Sequence, residues 1–251
     1  MRENQWQTGE RSEAEINNRK MFFGLFDDSP IPDGELLGNL SLYMNRQSLT
    51  RVIFLWELYN EITNIQGDIM EFGVRWGRDL ALFANFRGML EPYNHDRKIV
   101  GFDTFEGFPK SSITGKDTDS AEQGDYDTVE NYEEYLSEVL KYHESESPIS
   151  HKKKFEIVRG DVEQTLDEYL SGNEQTMIAL AYLDLDLYAP TKSCLELIKN
   201  RIPKGGVIGF DELNSGKFPG ETEAVREVFG LDKYEIKRRS YNSQPSYIVM
   251  D

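Results

Sequence analysis

Two acidic stretches stand directly after apolar runs. Residues 184–188 read DLDLY and residues 210–212 read FDE. Because the carboxyl ends of parallel strands line the ligand crevice of an open α/β sheet, we expect these carboxylates to lie where a ligand binds. Carboxylate oxygens are the donors that Mg²⁺ prefers. Asp184, Asp211 and Glu212 could therefore hold a divalent cation.

Asp186 stands two positions after Asp184. Side chains two positions apart share a face if the strand continues, so one of them could bind the metal while the other faces the substrate. We interpret Asp186 as a candidate general base, a role that suits a hydroxyl acidified by the metal. The alternative is that these acids only cap helices or lie in loops.

A glycine-bearing turn, EFGVRWG at residues 71–77, follows another apolar run. Glycine lets a backbone approach a ligand closely, so this turn is the candidate cofactor side of the site. It is not the dinucleotide fingerprint, because Arg75 stands where the second glycine would lie and Trp76 is bulky beside a pyrophosphate. A nicotinamide cofactor is disfavoured. The alternative is a tight strand-to-helix connection without a ligand.

Two further acids end predicted strands. Asp103 follows the run IVGF at the position where doubly wound folds hold a ribose, and an ionised carboxylate accepts hydroxyl protons strongly. Asp161 follows Gly160 in a short turn and could accept a hydrogen bond from the amino group of an adenine. Each acid could instead cap a helix, and Asp161 is the more open to that alternative.

Other catalytic classes lack their central residues. Cys194 is the single cysteine, so an intramolecular disulfide and a cysteine metal site are excluded. His95, His143 and His151 stand in polar contexts and are interpreted as surface residues. The sequence contains neither a Gly-x-Ser-x-Gly elbow nor a phosphate-binding Gly-x-x-x-x-Gly-Lys loop, which argues against serine hydrolases and P-loop proteins.

The strands and helices that must position these residues alternate along the chain. Strands are predicted at residues 68–73, 98–102, 155–159, 178–183 and 207–210, and helices at residues 47–64, 78–90, 132–141, 163–170, 191–201 and 222–229. This alternation predicts an α/β fold with a doubly wound, mostly parallel sheet. Residues 234–239 and 247–249 are joined too closely for a crossover helix. They should complete a seven-stranded, Rossmann-like sheet as an antiparallel C-terminal edge hairpin.

Two segments lie outside this alternation of strands and helices and differ from the rest of the chain in composition. Residues 1–46 are polar and then punctuated by proline and glycine, which predicts an N-terminal arm or cap before a domain at residues 47–251. Residues 110–150 are rich in Asp, Glu, Ser and Tyr and follow the second strand. They could cover the crevice as a lid or form a solvated surface loop.

The net charge limits the partners. Acidic residues number 45 against 28 basic ones, for a net charge of −17, and such a field opposes binding to nucleic acids and anionic membranes. The first residues lack the apolar stretch of a signal peptide, and no run approaches the roughly 20 apolar residues of a membrane span. With the single cysteine suggesting a reducing compartment, we expect a cytoplasmic protein.

Four motifs in this order resemble one family, the class I S-adenosylmethionine-dependent methyltransferases of the macrocin O-methyltransferase type. These enzymes methylate sugar hydroxyls in natural product biosynthesis. The motifs are EFGVRWG at residues 71–77, FDTFEGFP at 102–109, DLDLYAPT at 184–191 and GGVIGFDE at 205–212. The resemblance runs from about residue 66 to about residue 229.

The resemblance implies a metal-dependent O-methyltransferase that uses S-adenosylmethionine and Mg²⁺ and acts on a small-molecule sugar or glycoside. Asp184, Asp211 and Glu212 would bind Mg²⁺ and Asp186 would be the general base. The family usually has two aspartates where this chain has Asp211 and Glu212. Family members often form dimers through N-terminal elements, which implies a homodimer or higher homo-oligomer here.

The resemblance also implies the cofactor contacts. Glu71 and Gly73 would lie near the methionine part, Asp103 on the ribose and Asp161 near the adenine. The full predicted cofactor set is Glu71, Phe72, Gly73, Arg75, Gly77, Asp103, Thr104, Gly160, Asp161 and Asp184.

Three other functions stay open at this point. The chain could be a methyltransferase-like subunit that binds S-adenosylmethionine or a nucleotide without catalysis. It could be a catechol-type methyltransferase of small phenols with the same metal chemistry. A dehydrogenase on a Rossmann sheet is the third alternative, which the missing second glycine and the edge hairpin both disfavour.

Overall fold

A computed structural model describes residues 12–119 and 121–251 of the chain. The chain divides into two compact units, Met1–Leu49 and Thr50–Asp251. In the first unit, helix α1 (Glu13–Asp27) begins with a capping box, in which Ser12 and Glu15 satisfy each other's backbone N–H groups. Helix α2 (Asp33–Leu36) and a 3₁₀ helix (Leu37–Tyr43) follow. None of the residues in these three helices is buried.

A seven-stranded sheet forms the centre of the second unit. The strands are β1 (Asp68–Phe72), β2 (Ile99–Asp103), β3 (Phe155–Arg159), β4 (Ile178–Leu183), β5 (Val207–Phe210), β6 (Lys237–Arg238) and β7 (Ser246–Val249). Their order is β3-β2-β1-β4-β5-β7-β6. Strands β1 to β5 pair in parallel, whereas β7 pairs antiparallel with β5 and β6. The predicted doubly wound sheet with an antiparallel edge hairpin is confirmed.

Helices cover both faces of this sheet. They are α3 (Arg46–Ile62), α4 (Arg78–Leu90), α5 (Tyr132–Ser145), α6 (Val162–Gly172), α7 (Tyr188–Ile198) and α8 (Gly220–Val228), with a short 3₁₀ helix at Lys110–Ser112. Alternate residues of β4 serve the two faces: Leu180 and Tyr182 pack with α3 and α4, and Ala181 and Leu183 pack with α6, α7 and α8. Burial on both faces explains why the central strands β4 and β5 are continuous apolar runs.

Some element bounds differ from the sequence prediction. Helix α7 begins at Tyr188 rather than at residue 191, because Pro190 is tolerated in the first turn of a helix, where its missing N–H is not needed. Strand β6 contains only Lys237–Arg238 of the predicted run at residues 234–239. Within the described residues, no helix is both long and apolar enough to cross a membrane.

A buried ionic group joins α5 to the sheet. Glu144 Oε2 accepts a hydrogen bond from Arg87 Nη2 at 2.7 Å, and Glu144 Oε1 lies 2.5 Å from Lys154 Nζ. Arg87 Nη1 also donates to the carbonyl of Lys154 at 2.7 Å, just before β3. Because all three side chains are buried, each charge depends on the others for its compensation.

Replacing Glu144 by alanine should lower the free energy of unfolding by about 3–5 kcal/mol, because it leaves two buried cations without their partner. Urea denaturation followed by circular dichroism measures this change. The matched control is Glu138→Ala on the same helix, an exposed residue paired with Lys141, which should cost about 0.5 kcal/mol or less. Similar losses in both variants would contradict the role given to the buried group.

Candidate active site

A cavity of about 470 Å³ lies at the carboxyl ends of the central strands. It brings together most of the residues that the sequence singled out: Glu71, Gly73, Arg75, Asp103, Thr104, Gly160, Asp161, Asp184, Asp186, Asp211 and Glu212. Two predicted cofactor residues are not on its wall. Phe72 is fully buried and stacks on Phe102, and Gly77 precedes α4, where an added Cβ would meet Leu136 of α5.

Glu71 lies near the end of β1 and is only 2% exposed. Its Oε2 atom is buried and has no hydrogen-bond partner among the described residues. Burial, followed by the nearby carboxylate of Asp79, raises the pKa of Glu71 well above its usual value. A buried carboxylate oxygen that borders a cavity and lacks a donor is suited to receive an ammonium group from a ligand.

Gly73 is required by a close approach within the protein. Its φ is +91°, and a Cβ at this position would lie 1.9 Å from the carbonyl oxygen of Asp184. The approach arises because the Asp184 N–H donates to the Phe72 carbonyl at 2.8 Å. The glycine therefore serves the junction of β1 and β4, whatever ligand the cavity holds.

Asp103 ends β2 and is held by backbone donors. Its Oδ2 accepts from the Arg75 N–H at 2.8 Å, and its Oδ1 accepts from the Phe105 N–H at 2.6 Å. Each carboxylate oxygen has a second lone pair that can still accept a hydroxyl proton. Burial raises the pKa of Asp103 despite these bonds. The arrangement suits a pair of ribose hydroxyls.

Asp161 is the N-cap of α6, and its Oδ1 accepts from the Glu163 N–H at 3.1 Å. Within the protein, Asp161 therefore acts as a helix cap, as the alternative interpretation proposed. Its side chain also borders the cavity next to Gly160, so contact with an adenine stays a prediction.

Asp184 and Asp211 follow β4 and β5 directly, on neighbouring parallel strands. The expectation that Asp184 and Asp186 share a strand face is wrong, because β4 ends at Leu183 and Asp186 adopts a left-handed backbone conformation with φ +60°. Asp186 nevertheless borders the cavity. Such a conformation is costly for a residue with a Cβ and is concentrated at functional sites.

Asp184, Asp186, Asp211 and Glu212 form an acidic group, in which the negative charges repel one another. Burial and the neighbouring Asp211 raise the pKa of Asp184 to about 7. Burial, Asp184 and Glu212 raise the pKa of Asp186 well above its usual value, and Lys217 opposes this effect. These carboxylates can be ionised together only if a positive charge lies close to them.

Arg51 of α3 supplies part of that charge. Its guanidinium donates to Asp184 Oδ2 at 2.7 Å and also to Asp211 and Asp79. Its Cζ atom lies 5.3 Å from the centre of the Tyr182 ring. The sequence analysis did not single out this residue.

A signal for Arg51 was present in the sequence. Arg51 lies four, seven and eleven positions before Leu55, Leu58 and Ile62, which are all buried. A charged residue in register with an apolar helix stripe must be buried with it, and a buried charge needs a partner.

The donor set at the strand ends is suited to a hard divalent cation. Arg51 occupies one oxygen of Asp184 and one of Asp211, and Glu212 Oε2 is buried with no hydrogen-bond partner among the described residues. Carboxylates of this kind fit Mg²⁺. However, in residues 12–119 and 121–251, no three His, Cys, Asp or Glu side chains are already gathered around a metal position. Magnesium binding here stays a prediction.

The segment between β2 and α5 contributes to the cavity through Ser112, Asp125 and Tyr126. It is held in place by Asp117, whose Oδ1 accepts from the Tyr188 N–H at the start of α7 at 2.7 Å. Part of the predicted lid at residues 110–150 is thus a wall of the cavity. Its opening and closing stay a prediction.

A profile of the macrocin O-methyltransferase (TylF) family matches residues 51–229, which is more than half of the chain. The chain belongs to this family. The predicted family is thereby confirmed, and the protein is an O-methyltransferase with S-adenosylmethionine as the methyl donor. Membership in the macrocin O-methyltransferase family leaves the dehydrogenase alternative without support.

Solved structures of methyltransferases agree with the family assignment. The crystal structure of CalS11, a calicheamicin methyltransferase, is 42% identical over 95% of this chain and 93% of that one, with a TM-score of 0.91. The apo structure of CalS11, described as a TDP-rhamnose 3′-O-methyltransferase of calicheamicin biosynthesis, is 40% identical over 95% of each chain, with a TM-score of 0.84. The O-methyltransferase NovP is 18% identical over 80% of this chain and 79% of its own, with a TM-score of 0.56, and shows the fold alone. A comparison with curated proteins finds no match.

Replacing Asp103 by alanine should weaken the binding of S-adenosylhomocysteine about 10- to 100-fold, because hydrogen bonds to a charged acceptor contribute about 1.5–3 kcal/mol. Isothermal titration measures the affinity. The control is Glu106→Gln, in the same turn but exposed and paired with Arg159, which should bind normally. An unchanged affinity in the folded Asp103 variant would contradict the ribose position.

Replacing Asp117 by alanine should increase hydrogen exchange in the part of residues 110–150 that precedes α5, because the contact with the start of α7 is lost. Hydrogen-exchange mass spectrometry of the S-adenosylhomocysteine complex measures it. Asp119→Ala, at an exposed position of the same segment, is the control and should exchange like the unmodified protein. Equal exchange in both variants would show that Asp117 does not anchor the segment.

Proposed function

We propose that this protein transfers the methyl group of S-adenosylmethionine to a hydroxyl of a sugar or of a sugar-bearing natural product. The observation that carries the proposal is the shared cavity, which Glu71 and Asp103 line together with Asp184, Asp186 and Asp211. CalS11, at 40% identity, is described as acting on TDP-rhamnose, which supports a sugar as the acceptor.

The proposed reaction is a single displacement. The acceptor hydroxyl oxygen attacks the methyl carbon, the carbon–sulfur bond breaks, and its electron pair stays on sulfur to give S-adenosylhomocysteine. Such a reaction depends on holding the oxygen in line with that bond, so most of the acceleration comes from positioning. Glu71 would bind the amino group of the cofactor and Asp103 its ribose.

Asp186 would take the proton of the acceptor hydroxyl as the new oxygen–carbon bond forms. A general base must reach that proton and be ionised when it does so. The position of Asp186 on the cavity wall supports the first condition. Burial and the neighbouring acids raise the pKa of Asp186, with Lys217 opposing them, so the second condition would be met when a cation bound at Asp184 and Asp211 favours the ionised form.

Magnesium would be held by Asp184, Asp211 and Glu212. When bound, it would lower the pKa of the acceptor hydroxyl and stabilise the negative charge that develops on its oxygen. The chain's own contribution is to place these carboxylates at the ends of neighbouring strands.

An aromatic wall would receive the acceptor. The Tyr126 ring lies 5.3 Å from Phe108 and 6.3 Å from Phe218, and the Arg75 guanidinium lies 4.9 Å from its centre. Burial and the charges of Asp186 and Glu212 raise the pKa of Tyr126, so its phenol stays protonated. An apolar wall with a few polar groups is typical of small-molecule sites.

We also propose that the protein forms a homodimer or a higher homo-oligomer. The first unit exposes several large apolar side chains, including Met21, Leu25, Leu37 and Leu42. Surfaces of this kind favour association. The predicted cytoplasmic location stays a prediction.

Replacing Asp186 by asparagine should slow methyl transfer about 10²- to 10⁴-fold, the usual contribution of a general base, while S-adenosylhomocysteine binds as before. Turnover is followed by mass spectrometry with ¹³C-methyl-labelled cofactor and a panel of nucleotide sugars, glycosides and catechols. Glu196→Gln, an exposed position on α7, is the control and should turn over normally.

The panel also tests the proposed function as a whole. Methylation of catechols but not of any sugar would overturn the acceptor class. Cofactor binding without turnover of any acceptor would favour the non-catalytic alternative.

A further inference from the structure

We propose that Arg51 is a resident cation of the acidic group, and that a divalent metal ion binds there in competition with its guanidinium. The inference rests on the proposed function only in taking Asp184, Asp211 and Glu212 as the metal-binding residues. It gives Arg51 a positioning role: in the absence of metal, it holds the carboxylates at the ends of β4 and β5 together.

The geometry of Arg51 supports this role. Its guanidinium reaches carboxylates from three elements, namely Asp184 after β4, Asp211 after β5 and Asp79 in α4. The Arg51 side chain is 12% exposed and that of Asp79 is 3% exposed. Charges that are buried to this extent interact strongly, because little water screens them.

The same carboxylates are needed by a metal ion. Arg51 takes Asp184 Oδ2 and Asp211 Oδ1, and the Tyr182 hydroxyl donates to the same Asp211 oxygen at 2.9 Å. A divalent ion on the remaining oxygens would lie close to the guanidinium, and the two positive charges would repel each other in a poorly screened site. Metal binding should therefore be weaker than the carboxylates alone would allow.

Asp79 provides a place for Arg51 when a metal binds. Arg51 Nε donates to Asp79 Oδ2 at 2.8 Å, and Asp79 Oδ1 accepts separately from Arg78 at 2.8 Å. Asp79 is not among the predicted metal-binding residues. If a metal takes Asp184 and Asp211, Arg51 can keep its bond to Asp79, so the exchange leaves no buried cation without a partner.

The test compares the unmodified protein with the double variant Arg51→Met/Asp79→Asn. This variant removes the guanidinium and the carboxylate that pairs with it outside the predicted metal set, so the net charge is unchanged. Mn²⁺ is the probe, and electron paramagnetic resonance of free Mn²⁺ gives its affinity without any acceptor or turnover. We expect the double variant to bind Mn²⁺ about tenfold more tightly or better, because the guanidinium no longer occupies Asp184 and Asp211, while the lost carboxylate of Asp79 is not among the predicted metal ligands.

Two controls assign that change to the site. Asp79→Asn alone should bind Mn²⁺ no more tightly than the unmodified protein, because Arg51 then turns wholly to Asp184 and Asp211. Adding Asp211→Asn to the double variant should abolish the gain. A gain that survives the loss of Asp211 would place the Mn²⁺ elsewhere and overturn the inference.

Thermal unfolding gives an independent readout. In EDTA the double variant should unfold at a lower temperature than the unmodified protein, and Mg²⁺ should raise its midpoint more than it raises that of the unmodified protein. A double variant that folds only with Mg²⁺ would support the same conclusion. If it does not fold at all, Arg51→Gln replaces it, because this variant also removes the positive charge while Asp79 keeps Arg78 as its partner. Its expected gain in Mn²⁺ affinity is about threefold or more.

The failures can be told apart. Equal or weaker Mn²⁺ binding in the variant, with binding in the unmodified protein, overturns the competition by Arg51 and leaves the proposed metal site intact. An absence of Mn²⁺ binding in every protein overturns the proposed metal site and the competition together. Methyl transfer to a sugar is measured separately, and sugar methylation in a protein that binds no Mn²⁺ would leave the proposed acceptor class intact while the metal site fails.

Discussion

The acidic group at the strand ends imposes the main physical constraint on this protein. Neighbouring parallel strands lie about 4.8 Å apart, so carboxylates that follow β4 and β5 repel each other unless a cation lies between them. Arg51 meets this need from a different element, because α3 carries it on the same stripe as the buried Leu55 and Leu58. The packing of α3 on the sheet and the assembly of the acidic group are thus one requirement.

The sheet order explains why the two halves of the site meet. The chain winds from β1 to β2 and β3 on one side, and then returns to β4 and β5 on the other. The crevice at such a reversal is the usual ligand site of doubly wound sheets. Asp103 at the end of β2 therefore faces the cavity from one side, and Asp184 at the end of β4 from the other. Glu71 on β1 lies between them.

The predictions from the sequence were most accurate where a single physical requirement determines the structure. Strands β3, β4 and β5 were placed at their observed bounds. For β4 and β5 the reason is that strand length is set by the apolar run that fills the two sides of the sheet. The two-residue alternation of strand side chains does not apply after Leu183, because the chain leaves the strand there and Asp186 takes a left-handed conformation. Phe72 and Gly77 were predicted to contact the cofactor, but Phe72 packs in the core and Gly77 makes room for Leu136, so neither lines the cavity. Their contact with the cofactor stays a prediction. Arg51 was missed although its register with the apolar stripe of α3 indicated a buried charge, because its carboxylate partners lie far away in sequence and no local pattern names them.

The origin of the aromatic wall has a consequence for how the enzyme can diversify. Phe108 and Tyr126, which line the cavity, lie outside the strands and helices, as does Phe218 beside Tyr126, whereas Asp184 and Asp211 are fixed to strand ends. The backbone contact at Gly73 further ties the cofactor turn to Asp184. Loops tolerate substitution and insertion far better than a packed sheet does. Acceptor preference can therefore drift over generations, or be redesigned, in loops whose sequence the reacting groups do not constrain.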